Sequence, residues 1–154
     1  MKKTLLILIF IIISSCGFKV LNLSEIENYN LVEINLTGEK KINYIIKNNL
    51  LQATNKNADN NVSITIDTKK NKTIKEKNIK NEITKYDISI MASVLIKNIY
   101  NSEIYNFTIS KNGNYAVEDQ NSATRNNEKK LITLLSMDLA DEILSKTRMS
   151  LNDL

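Results

Sequence analysis

The sequence contains no histidine, no proline and no tryptophan, and it has a single cysteine and three glycines. Each shortage removes a class of function. Without histidine the chain lacks the side chain that ordinarily serves as a general base near neutral pH. With Cys16 as the only thiol, no disulfide can form within the chain. A lone thiol also supplies no multi-cysteine zinc site. Glycines at 17, 38 and 113 alone cannot build a Gly-rich phosphate loop. The residues therefore point away from an enzyme, and a small periplasmic hydrolase is the weakest reading. No cofactor or metal is expected.

What is present is organised from the first residue. Lys2 and Lys3 precede an unbroken apolar run from Leu5 to Ile13, and Ser14 and Ser15 lead into Cys16 and Gly17. A charged start, an apolar stretch of about 7–15 residues and a small-residue cleavage site describe a secretory signal. A membrane-spanning helix would need about 20 apolar residues, more than twice this run. The small-small-Cys ending resembles the bacterial lipobox, after which Cys16 becomes the first residue and carries lipid. Lipidation also accounts for a lone cysteine in an exported chain. One acyl chain holds a protein only marginally, whereas several hold it almost permanently. Gly17 stands where an Asp would suggest inner-membrane retention in some bacteria, which favours the outer membrane, on its periplasmic face. The reading is a signal peptide over 1–15, a lipidated tether over 16–30 and a single domain over 31–154.

Removing Lys2 and Lys3 leaves 19 basic against 17 acidic residues. A net charge of +2 supports no nucleic-acid partner.

Periodicity predicts the elements of the domain. Val32, Ile34 and Leu36 alternate with polar residues, as on a half-buried strand. Thr37 offers a cap to a helix from about Gly38 to Ala53, with Ile42, Ile45, Ile46 and Leu50 at helical spacing. Val62, Ile64 and Ile66 give a second strand, followed by a lysine-rich connector. Tyr86, Ile88, Ile90, Ala92, Val94 and Ile96 share one face of a long third strand. Tyr105, Phe107 and Ile109 give a fourth, closed by the turn chemistry of Asn112-Gly113-Asn114. The last helix runs from about Ser122, its expected cap, to Arg148, with Ile132, Leu135, Leu139 and Ile143 on one broad face. An amphipathic helix must bury its stripe, and a sheet offers an apolar face to receive it. The expectation is an α+β two-layer sandwich, a four-stranded sheet with two helices on one face, in the order β-α-β-β-β-α.

Two charged clusters are candidate sites. Between Lys69 and Lys85, seven lysines are opposed only by Glu76 and Glu82. Lys69, Lys70, Lys72, Lys75 and Lys77 are the residues expected to contact an anionic glycolipid or an acidic barrel wall, because concentrated charge attracts an opposite charge. The competing account is a soluble hairpin tip in a lysine-rich chain. Asp138, Asp141 and Glu142 have the spacing to meet a cation, but the wet side of an amphipathic helix explains them more simply.

Three stretches resemble the LPS-assembly lipoprotein (LptE) family. They are the opening Cys16-Gly17-Phe18, the strand from Thr84 to Ile96, and the ending from Asn121-Ser122-Ala123 to Leu139-Ala140-Asp141-Glu142-Ile143-Leu144. The Pro that usually follows that opening is replaced here by Lys19, Val20 and Leu21. The resemblance implies a non-enzymatic partner of a large outer-membrane β-barrel (LptD), sitting in its lumen as plug and assembly partner and aiding lipopolysaccharide delivery to the outer leaflet. The residues alone leave open a second role, as an adaptor lipoprotein of another envelope complex, such as a lipid-transport auxiliary or a secretion pilot.

Overall fold

Four strands and two helices form in a computed structural model that describes residues 29–58 and 60–152. The leader, Cys16 and most of the tether lie outside these residues. The elements are β1 (Tyr29–Gly38), α1 (Lys40–Ala53), β2 (Asn60–Lys77), β3 (Ile83–Asn98), β4 (Ile104–Ala116) and α2 (Asn121–Asn152). The strands form one sheet in the order β1-β2-β3-β4. β1 runs parallel to β2, a pairing that needs a crossover, and α1 supplies it. The pairs β2–β3 and β3–β4 are antiparallel.

Side-chain alternation decides which face is covered. Val62, Ile64 and Ile66 of β2 and Ile88, Ile90 and Ile96 of β3 are fully buried. They meet Ile42, Ile46 and Leu50 of α1 and Leu139 and Ile143 of α2 in a single core. Burying each such side chain contributes about 1.5–3 kcal/mol. α2 packs over β4 and against α1, so both helices share one face of the sheet. This is the α+β sandwich that the periodicity predicts, in the predicted order.

Four local expectations are corrected. In β1 the register shifts between Leu31 and Glu33. Leu31 therefore takes the inward place and Val32 is left exposed, as an extra residue in a strand requires. Thr37 does not cap α1: it lies within β1 and donates a hydrogen bond to Asp67 Oδ1 at 2.8 Å. Thr68 serves the helix start instead. Its Oγ1 accepts from Glu39 N at 3.0 Å and donates to Asn43 Oδ1 at 2.7 Å, and Asn43 Nδ2 reaches Thr37 O at 2.9 Å. Ser122 lies inside α2 rather than before it. Asn112-Gly113-Asn114 is not a turn but the middle of β4, with Gly113 opposite Ile88. An added Cβ at Gly113 would lie 2.8 Å from Leu131 Cδ1, so the glycine clears space for α2 to cross.

The fifth correction concerns the lysines. The segment after Asp67 is no connector: β2 continues to Lys77 and pairs with β3 along that length.

Candidate functional site

β1 stops where Gly38 pairs with Thr68. Beyond that point β2 has β3 on one side and, among the described residues, no strand on the other. The lysine-rich half of β2 is therefore a sheet edge. Successive side chains on a strand point to opposite faces, so the five lysines do not form one patch.

Lys69 stands on the uncovered face, 3.8 Å from Asp67, and Lys75 lies 3.2 Å from Asp87 of β3. Lys70 and Lys72 turn toward the helices, pairing with Glu39 at 3.7 Å and Glu128 at 2.7 Å. Lys77 donates to Asn81 Oδ1 at 2.9 Å near the hairpin tip. Four of the five thus have a carboxylate partner, and the +5 read along the sequence is partly neutralised in space.

Lys72 has the densest surroundings. Its Nζ sits 4.3 Å from the centre of the Tyr86 ring and 5.3 Å from that of Tyr115. The two rings stack with centroids 5.7 Å apart. Tyr115 also donates to Glu128 Oε2 at 2.9 Å. A cation over stacked rings gains from the negative ring faces, and Glu128 of α2 closes the group. Desolvation pushes the Lys72 ammonium down, but hydrogen bonds with Glu128 and Tyr115 outweigh it, and its pKa stands above the ordinary lysine value. Lys72 in turn holds the Glu128 carboxyl below the usual range, against the opposing effect of burial. Tyr86 and Tyr115 pack on the covered face of the sheet, which for Tyr86 is the face that the alternation of β3 predicts. Glu128 as the partner of Lys72 is not readable from the sequence, because 56 residues separate them.

The other face of the sheet is uncovered by any described element. Ser89, Met91, Ser93 and Leu95 of β3 lie on it, beside the exposed Asn106, Thr108 and Ser110 of β4. A shallow depression of about 280 Å³ is floored by Thr65, Asp67, Ser93, Leu95, Asn106 and Thr108. Polar and apolar side chains alternate along β3 on this face, in the order Ser89, Met91, Ser93 and Leu95.

The carboxylates of α2 do not converge. Glu142 is held by Lys111 of β4 at 2.6 Å and by Lys146 at 3.8 Å, and the Lys111 hydrogen bond lowers its pKa. No group of residues able to hold a metal occurs among the described residues.

A parallel β1–β2 crossover, a long antiparallel meander and a closing helix over one face make a distinctive arrangement. Three solved lipoproteins share it. Rare lipoprotein B from Shewanella oneidensis matches with a TM-score of 0.63 at 11% identity, over 79% of this chain and 97% of that one. A lipoprotein from Caulobacter crescentus matches with a TM-score of 0.57 at 12% identity, over 85% and 95%. An uncharacterized lipoprotein B from Nitrosomonas europaea matches with a TM-score of 0.58 at 10% identity, over 81% and 88%. At these identities the likeness is one of fold. No protein-family model and no curated protein matches the sequence.

Proposed function

We propose that the chain is an outer-membrane lipoprotein, lipidated at Cys16, that acts without catalysis as plug and assembly partner of the lipopolysaccharide-transport β-barrel LptD. The observation that carries this reading is a conjunction. A leader ending in Ser14-Ser15, with Cys16 directly after it, precedes a sandwich shared along nearly its whole length with three lipoproteins. The resemblance of three stretches to the LPS-assembly lipoprotein family adds the role.

The geometry suits a partner that must be gripped rather than transformed. The helices cover one face, and the opposite face offers rows of hydroxyl and amide groups with Met91 and Leu95 among them. Such a surface can meet the polar wall of a barrel lumen. On this reading Lys69 and Lys75, which stand toward the uncovered face, meet lipopolysaccharide phosphates or barrel carboxylates, while Lys70 and Lys72 are engaged by Glu39 and Glu128.

Gentle solubilisation of the envelope and affinity capture of the full-length protein test the role. A large β-barrel of the lipopolysaccharide pathway should co-purify. Capture of an inner-membrane transporter or a secretin instead would replace this role with that of an adaptor in another envelope complex. Mass spectrometry of the native amino terminus should find Cys16 carrying acyl chains.

A further inference from the structure

All six elements have one terminus at the same end of the sandwich. Tyr29, the first described residue, donates from its hydroxyl to Leu151 O at 2.6 Å near the end of α2. Its own carbonyl accepts from Asn55 N just after α1. In the sheet Asn30 pairs with Asn61, and Asn61 O accepts from Ile99 N at 3.0 Å. Ile99 thus sits two strand spacings, about 10 Å, from where the chain enters the fold.

This end is unusually apolar for a place where strands turn. Ile99 is 48% exposed, Tyr100 71% and Ile104 59%, and Met149 on the last turns of α2 is 64% exposed. The turn that carries them is built, not frayed. Asn98 N donates to Glu103 O at 2.9 Å. Tyr100 N donates to Asn98 Oδ1 at 2.9 Å and Glu103 N to Asn101 Oδ1 at 3.1 Å. Ser102 takes a left-handed φ of 60° to close it. Polar turn residues are thus spent on backbone hydrogen bonds while Ile99 and Tyr100 are held outward. Lys56 and Lys97 are exposed at the same end, against Glu103.

From this placement we infer that the Ile99–Ile104 turn, with Met149, is a second membrane contact that rests this end of the domain on a phospholipid surface. The inference builds on the reading of Cys16 as the lipid anchor. Cys16 lies thirteen residues before Tyr29, a reach of at most about 45 Å, and it is joined to this end of the fold and no other. The anchor therefore holds this end of the fold within that reach of the bilayer. A tyrosine places its ring among acyl chains and its hydroxyl in the headgroups, and the lysines favour anionic headgroups. Stable attachment by two signals together is the general pattern for lipid-anchored chains.

The test uses the full-length, envelope-expressed protein reconstituted into vesicles of phosphatidylcholine and phosphatidylglycerol. Variants Tyr100→Cys, Met149→Cys and Ile79→Cys receive a polarity-sensitive fluorophore. Ile79, wholly exposed at the opposite tip, is the reference. A lipidated Cys16 leaves the introduced thiol as the sole one to label. Labels at 100 and 149 should shift to the blue and be quenched by spin-labelled acyl chains, while the label at 79 does neither. Two positions guard against one substitution disturbing the turn. If vesicle-bound protein shows all three labels equally wet, the contact is refuted and the anchor stands. If unsubstituted protein takes the label at Cys16 and stays out of the vesicle fraction, the anchor reading and this inference both fall.

Discussion

Gly38 closes β1 with φ +91°, and a Cβ added there would lie 1.9 Å from Thr68 O. The obstruction is backbone, so no rotamer change relieves it. Gly38→Ala should cost about 2–4 kcal/mol, from left-handed strain and displacement of β2. Urea unfolding measures this, and a loss below about 1 kcal/mol would mean that the β1–α1 junction yields more readily than its contacts imply. Gly113 is different, because its neighbour is the end of a leucine side chain that can move aside. At the same scale, Glu128 links α2 to the sheet. Its folded pKa lies below the ordinary 4.5, so its contribution is full above that value and drains away as the pH falls through the folded pKa. Glu128→Gln should lower stability at neutral pH by about 1 kcal/mol, a modest figure because Lys72 is about a third exposed to solvent. The gap between variant and parent should close at acid pH, once the carboxyl is protonated in the folded state as well. Unfolding curves at both pH values decide it, and an equal gap at each would separate the pair's geometry from its charge.

Among the elements, both helices and the apolar half of every strand were legible. Ile42, Ile46 and Leu50, and Leu135, Leu139 and Ile143, announce their stripes because each must be buried. Two of the failures share one cause: strand pairing overrode the local pattern. β2 loses its apolar alternation at Thr68, yet it continues because β3 supplies hydrogen bonds as far as Lys77. Lys70 and Lys72 still point to the helix side, where long stems can lie along apolar surface and carry their charge outward. Asn112-Gly113-Asn114 has turn chemistry, but its place opposite Ile88 overrides local preference. Alternation also divides the lysine site into halves with different fates. Lys69→Gln with Lys75→Gln should leave the fold intact, lower affinity for lipopolysaccharide by about fivefold per lysine at low salt, and flatten the salt dependence. Lys70→Gln with Lys72→Gln should chiefly lower stability, since Glu39 and Glu128 lose their partners. Unchanged glycolipid binding in the first pair, read by titration across a salt series, would leave those two lysines without a role in recognition.

For the whole molecule, the architecture was legible in the sequence, but the surfaces were not. Exposure depends on which elements share a face. Ile104 and Leu95 lie close together because β4 pairs with β3, not because they are near in the chain. The ion pairs Lys72–Glu128 and Lys111–Glu142 tie α2 to the sheet at two separated points, and the opposite face is left uncovered by any described element.

The early halt of β1 leaves nine residues of β2, Lys69 to Lys77, with no strand beyond them among the described residues, so that a row of backbone donors and acceptors faces outward. An open edge invites a neighbour to zip on, and ammonium groups repel that neighbour when it is another copy. Five of those nine side chains are lysines. Turning all five into glutamine should make concentrated samples scatter light and slowly grow fibrils, while the parent stays clear. The cluster would then be a fence against its own kind, whatever else it holds.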